Sequence, residues 1–148
     1  FYAKYLNQNG QVRSAIKYLK IALQKSPSHI PSQTLLNDIS PDEASLEIQI
    51  ENLIKRIKSE NNNSDLYVEL SEKLYLNGQY EMAIDVCIQL LKFAPNNKLA
   101  YNNICASYNK LKEWDLAKLA CQNALTIDPN FQIAKNNLNW ANSELNKK

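Results

Sequence analysis

Apolar positions in this 148-residue chain recur on two scales. At short range Tyr80, Ala83, Ile84, Cys87, Leu90 and Leu91 fall three and four residues apart, which marks one apolar stripe along a helix. At long range the pattern itself repeats. Tyr67/Tyr101, Leu70/Ile104, Ser71/Cys105, Tyr80/Trp114, Ala83/Ala117, Cys87/Cys121, Leu91/Leu125, Pro95/Pro129 and Asn96/Asn130 are all separated by a period of about 34 residues. Large and small residues alternating at that period, closed by a proline, predict a helix-turn-helix unit. Such a unit buries its apolar face only by stacking on its neighbours, and the stack presents an extended curved surface.

The two clearest units are 64–97 and 98–131, with first helices over 64–77 and 98–111 and second helices over 80–93 and 114–127. Small residues at Ser71/Cys105 and Ala83/Ala117 let paired helices approach closely, and Tyr67, Tyr101 and Tyr108 fill the gaps. Asn77-Gly78 ends a first helix, because glycine accepts the left-handed conformation there. Pro95 and Pro129 end second helices. Two periods upstream, Ala15, Leu19, Ala22, Leu23 and Pro27 match Ala83, Cys87, Leu90, Leu91 and Pro95, and Asn9-Gly10 matches Asn77-Gly78. Residues 1–29 therefore read as a partial repeat, with Phe1 already inside its first helix.

Between them, 30–63 is a degenerate repeat. It keeps apolar Leu36, Ile50, Leu53 and Ile57, but Gln49, Arg56 and Asn61 replace the usual Ala, Ala and Pro. Ser40-Pro41-Asp42-Glu43 supplies a cap, a proline suited to a first helical turn and a capping-box glutamate. The first helix is expected to stop near Ile39, the second to run long over 41–59, and Asn61-Asn62-Asn63 to form the loop. Residues 132–148 hold a capping helix, about 132–146, and a tail; Ala134, Leu138 and Ala141 face inward and the other positions are polar. The expectation is an all-α single domain over 1–148, about four helix pairs plus a C-terminal capping helix.

Composition narrows the function. Two glycines are too few for a β-rich or loop-rich chain. With 17 basic and 15 acidic residues interspersed, there is no basic stripe for nucleic acid; Lys55, Arg56 and Lys58 read as one solvated helix face. No apolar run approaches the roughly 20 residues of a membrane span, so no direct membrane insertion is expected. No signal peptide is visible, but the chain opens inside a predicted helix, so compartment stays open between cytoplasm and periplasm for a soluble domain. Three cysteines make an odd count without CxxC, which argues against a disulfide framework or a zinc site. Stacking sets Cys87 and Cys121 a helix pair apart, beyond the ~7 Å Cα reach of a bridge, so the cysteines read as small core residues. His29 is the only histidine and sits at an inter-repeat turn between Pro27 and Pro31. With no phosphate loop, HExxH or serine elbow, the chain reads as non-enzymatic, with no cofactor or metal.

The set Tyr101, Ile104, Cys105, Tyr108, Ala117, Cys121, Ala124 and Pro129 resembles the tetratricopeptide repeat signature. The preceding unit matches with Tyr67, Leu70, Ser71, Leu74, Ala83, Cys87, Leu90 and Pro95. The resemblance implies a right-handed α-α superhelix whose first helices line a concave groove for an extended peptide or helix. A narrower likeness runs from Asp128-Pro129-Asn130-Phe131-Gln132 through Ala134-Lys135-Asn136-Asn137-Leu138. It resembles repeat tails that follow multi-spanning membrane glycosyltransferase-like proteins in bacteria. The chaperone-tail-binding branch is excluded: Val68, Glu72, Ile133 and Asn137 stand where its basic-and-Asn clamp belongs.

If first helices line a groove, repeat positions 2, 5, 6, 9, 12 and 13 are its exposed places. In the last full repeat they are Leu99, Asn102, Asn103, Ala106, Asn109 and Lys110, and the capping helix adds Ile133, Asn136, Asn137 and Trp140. Asn103 and Asn137 stand one period apart, so their amides are expected as successive rungs able to bind a peptide backbone. This arrangement resembles the asparagine ladder of O-linked N-acetylglucosamine transferase. A second candidate is the acidic face of Asp65, Glu69 and Glu72, with Val68 and Tyr75 nearby, a receptor for basic partner residues. The expected function is a scaffold whose groove takes a peptide of a protein partner. The alternative is a structural spacer or self-association segment of a longer repeat protein, appended to a membrane glycosyltransferase in one version. In it Tyr2, Tyr5 and Leu6 are covered by upstream sequence or by a second copy as a homodimer.

Overall fold

A computed structural model describes residues 12–26, 28–29, 31–32, 34–35 and 41–147. The expectations for Tyr2, Tyr5 and Leu6, for Asn9-Gly10 and for a helix end near Ile39 lie outside these residues. The chain divides into two compact units, residues 1–48 and 49–148. In the first, helix α1 (Val12–Lys25) buries Ala15, Ile16 and Leu19, one face at spacings of one and three. His29 is exposed, with its Nδ1 2.7 Å from Ser32 Oγ. Helix α2 (Pro41–Ser59) begins in the first unit and buries Ile50 and Leu53 in the second.

Five helices follow: α3 (Ser64–Leu76), α4 (Tyr80–Phe93), α5 (Lys98–Leu111), α6 (Trp114–Ile127) and α7 (Gln132–Leu145). Every regular element among the described residues is an α-helix. Successive helices pack on each other, and the first helices α3, α5 and α7 also touch in sequence, the contact pattern of stacked helix pairs. Small residues let them close. Ala83, Cys87, Ala100, Cys105, Ala117, Cys121, Ala124, Ala134 and Ala141 are all fully buried. Tyr67, Leu90 and Ile104 fill the remaining volume, with Tyr67 edge-on to Phe93 at 5.2 Å.

The same residue types bound the repeated helices. Asn63 and Asn97 cap α3 and α5, their Oδ1 atoms accepting from the amides of Asp65 (3.2 Å) and Ala100 (3.0 Å). At the other end, α3 closes with two bonds of a Schellman turn, Gly78 N to Tyr75 O and Gln79 N to Leu74 O, and Gly78 is left-handed at φ 74°. One period on, Lys112 N to Asn109 O and Glu113 N to Tyr108 O make the same turn, with Lys112 held at φ 63°.

The cysteines depart from expectation. Cys105 on α5 and Cys121 on α6 form a disulfide with Cα atoms 5.3 Å apart, and Cys87 alone is free and buried. Cys87 and Cys121, the pair placed beyond bridging reach by stacking, belong to successive units. The bond instead joins the two helices of one unit, where small facing residues bring the backbones closest.

Candidate functional site

The first helices of the second unit enclose a cavity of about 410 Å³ lined by Glu72, Tyr75 and Leu76 from α3, Asn102, Asn103 and Ala106 from α5, and Ile133 and Asn137 from α7. Three helices contribute because side chains at their repeat positions 2, 5, 6, 9, 12 and 13 point to a common side. Leu76 and Ile133 are more than half exposed, at 65% and 56%, which is unusual for such apolar side chains.

Asn102 is only 7% exposed and sits in the cavity wall. Its Oδ1 accepts from Asn137 Nδ2 at 3.0 Å, while its own Nδ2 makes no hydrogen bond among the described residues and is not sealed from solvent. Asn103 donates through Nδ2 to Ser71 Oγ at 2.8 Å. Ser71 spends its single hydroxyl proton on Val68 O, 2.7 Å away, so it can only accept from Asn103. That requirement orients the Asn103 amide and leaves its Oδ1 unpartnered. Asn137 likewise donates through Nδ2 and keeps Oδ1 unpartnered. The wall thus offers unused amide N–H groups, both of Asn102's among them, and two unpartnered amide oxygens, groups that match a peptide backbone.

The ten predicted residues separate clearly. Glu72, Tyr75, Asn102, Asn103 and Asn137 come together around the cavity. Asp65 and Glu69 are exposed on α3 outside it, and Val68 is buried at 8%. Asn136 is exposed and accepts from Gln132 Nε2 at 2.9 Å. Asn109, expected at the groove, is instead 1% exposed. Its Nδ2 donates to the Asn137 backbone carbonyl at 3.0 Å, tying α5 to α7, and its Oδ1 is buried without a partner. Its side chain is too short to emerge past α7. Leu76 was not singled out, although it stands at repeat position 13 of the register that selected its neighbours.

Around the cavity the charges are few. Glu72 is the only charged lining residue. Among the described residues Asp65, Glu69 and Glu72 form no ion pair; the pairs are Arg56–Glu60, Lys98–Asp128 and Lys147–Glu144. Lys110, the groove-register cation on α5, lies over the Trp140 ring at 5.4 Å, and Trp140 packs against Trp114 at 6.0 Å. No group of three metal-ligating side chains occurs among the described residues, and no described helix is long and apolar enough to cross a membrane.

Comparison with known proteins supports the architecture. The tetratricopeptide repeat model matches residues 99–131. A crystal structure of MamA protein is similar at TM-score 0.61 and 21% identity, covering 94% of this chain and 76% of that one. The first tetratricopeptide-repeat domain of Spaghetti (RPAP3), bound to the HSP90 peptide SRMEEVD, is similar at TM-score 0.66 and 17% identity, over 74% of this chain and 86% of that one. A tetratricopeptide repeat protein from Parabacteroides merdae gives 0.61 and 17%, over 95% and 56%. At these identities the likeness is one of fold. The sequence matches no curated protein.

Proposed function

We propose that this chain, whose residues 99–131 match the tetratricopeptide repeat and whose fold is that of tetratricopeptide-repeat scaffolds, binds an extended segment of a partner protein in the cavity between α3, α5 and α7. The observation that carries this reading is Asn102. A side chain that is nine-tenths buried yet keeps an unpartnered donor open to the cavity leaves that donor to water until a ligand carbonyl replaces it. With Asn103 Oδ1 and Asn137 Oδ1 it forms a short set of donors and acceptors suited to backbone hydrogen bonds, and Leu76, Ala106 and Ile133 supply apolar contact for a side chain. The RPAP3 structure holds a peptide, which fits a peptide-binding role for this fold without identifying the partner here.

The test is a selection of random twelve-residue peptides displayed on phage against the full chain and against Asn103→Asp/Ile133→Asp. Peptides enriched on the parent and lost on the variant, with helical circular dichroism unchanged, would support the groove. Enrichment equal on both, or no enrichment, would sink it.

A further inference from the structure

We propose that the bound segment presents an aliphatic side chain beside a lysine or arginine; this deepens the groove reading and rests on it. The chemistry of the lining decides the choice. The only charge in the cavity wall is the Glu72 carboxylate, which has no ion-pair partner among the described residues. Asp65 and Glu69 stand on the same helix outside the cavity, exposed and likewise without an ion pair among the described residues, so the field along α3 adds to that of Glu72. The groove-register cation, Lys110, is held over Trp140. An acidic segment would meet uncompensated negative charge, whereas a cationic side chain beside Glu72 would be steered and held.

The apolar requirement is set by Leu76 and Ile133, both more than half exposed, which flank Ala106 in the same cavity. A branched aliphatic side chain between them would cover surface that is otherwise left to water. The backbone pattern fixes the segment's form. Asn103 Oδ1 and Asn137 Oδ1 can accept N–H groups and Asn102 Nδ2 can donate to a carbonyl, which an extended strand offers and a helix, with its backbone bonds internally satisfied, does not. The Asn102 donor is an observation independent of the carboxylates, and it points to a ligand in this cavity.

The test uses two fluorescein-labelled, end-blocked heptapeptides, both threonine-rich and extended, one with Lys-Leu and one with Glu-Leu at the centre. Anisotropy titrations are run with the full chain and with Glu72→Lys. The expected result is that the lysine peptide binds at least about fivefold more tightly than its glutamate counterpart, and that Glu72→Lys abolishes or reverses this preference. Equal binding of the two peptides, a glutamate preference, or a lysine preference that survives Glu72→Lys would overturn the assignment. Binding of neither peptide would overturn it too, while the displayed-peptide selection judges the groove separately.

Discussion

Ser71 occupies in its helix pair the place that Cys105 occupies one repeat later. Cys105 is bonded covalently to Cys121, whereas Ser71, beside Cys87, the residue equivalent to Cys121, donates to Val68 O and accepts from Asn103. One helix crossing is thus built twice, once closed by a disulfide and once left with a free thiol beside a hydroxyl that receives Asn103 from the groove.

The equivalence predicts that Ser71→Cys will oxidise with Cys87 to a second disulfide across the same separation of 16 residues. Thiol titration in guanidinium should then find no free thiol where the parent chain has one. A new loop of this length adds about 3 kcal/mol, from which the lost Asn103 bond subtracts about 1 kcal/mol. A free-thiol count that stays above zero under oxidising conditions would show that the two crossings differ in backbone approach.

Replacing both Cys105 and Cys121 by serine, or reducing the chain, should lower unfolding stability by about 3 kcal/mol, read as a drop in the denaturant midpoint with little change in slope. This is a large share of the stability of a small domain. The disulfide restrains α5, which carries Asn102 and Asn103, so the oxidised chain is the form to use in groove measurements.

Lys112 stands in the left-handed conformation where the preceding repeat has Gly78. A side chain there costs about 1 kcal/mol, and no hydrogen bond of the turn uses the lysine side chain. Lys112→Gly should therefore stabilise the chain by about 1 kcal/mol in urea unfolding while leaving groove binding unchanged. An unaltered or lower midpoint would mean that Lys112 makes a compensating contact in solution.

Burial pushes the Cys87 thiol from the ordinary 9.0 up to about 11; the neighbouring Ser71 hydroxyl opposes the shift and the nearby Glu72 carboxylate adds to it. A folded pKa above the unfolded one makes a contribution that is complete below pH 9 and lost as pH rises through 11. The loss amounts to about 3 kcal/mol. Cys87→Ala should flatten this alkaline slope relative to the parent, and the native thiol should resist labelling by DTNB at pH values near neutral, where it stays protonated and covered. Rapid labelling of the folded chain would contradict both expectations.

Much of the fold was legible because the helix signals are local. Second helices 80–93 and 114–127, first helix 98–111 and the long helix 41–59 are observed as expected, and 64–77 and 132–146 end one residue early. Gly78, Asn63 and Asn97 act on the backbone beside them, so their effect could be read without the tertiary structure. The disulfide could not, because it depends on how closely two antiparallel helices cross, and small residues permit that approach without announcing its distance. The cavity was partly legible: repeat position selects a face of α3, α5 and α7, which gathered Glu72, Tyr75, Asn102, Asn103 and Asn137. Position does not show how far a side chain reaches. Tyr75 and Asn109 share position 12, yet the tyrosine is long enough to line the cavity and meet Tyr80 edge-on at 5.4 Å, whereas the asparagine ends beneath α7.

That contrast separates two asparagines on one helix. Asn109→Ala removes the donor to the Asn137 carbonyl and leaves a small void at a fully buried position, so it should cost about 1 to 3 kcal/mol of stability. Its unpartnered Oδ1 offsets part of this, since alanine relieves a buried acceptor. Asn103→Ala deletes a half-buried side chain bonded to Ser71 and should cost about 1 kcal/mol or less, yet remove one backbone acceptor from the groove. Paired urea unfolding and titration of a groove-selected peptide should therefore move in opposite proportions: stability falls more for Asn109→Ala, and affinity falls more for Asn103→Ala. If Asn109→Ala loses the greater affinity at unchanged stability, Asn109 belongs to the binding surface after all and the cavity wall extends beneath α7.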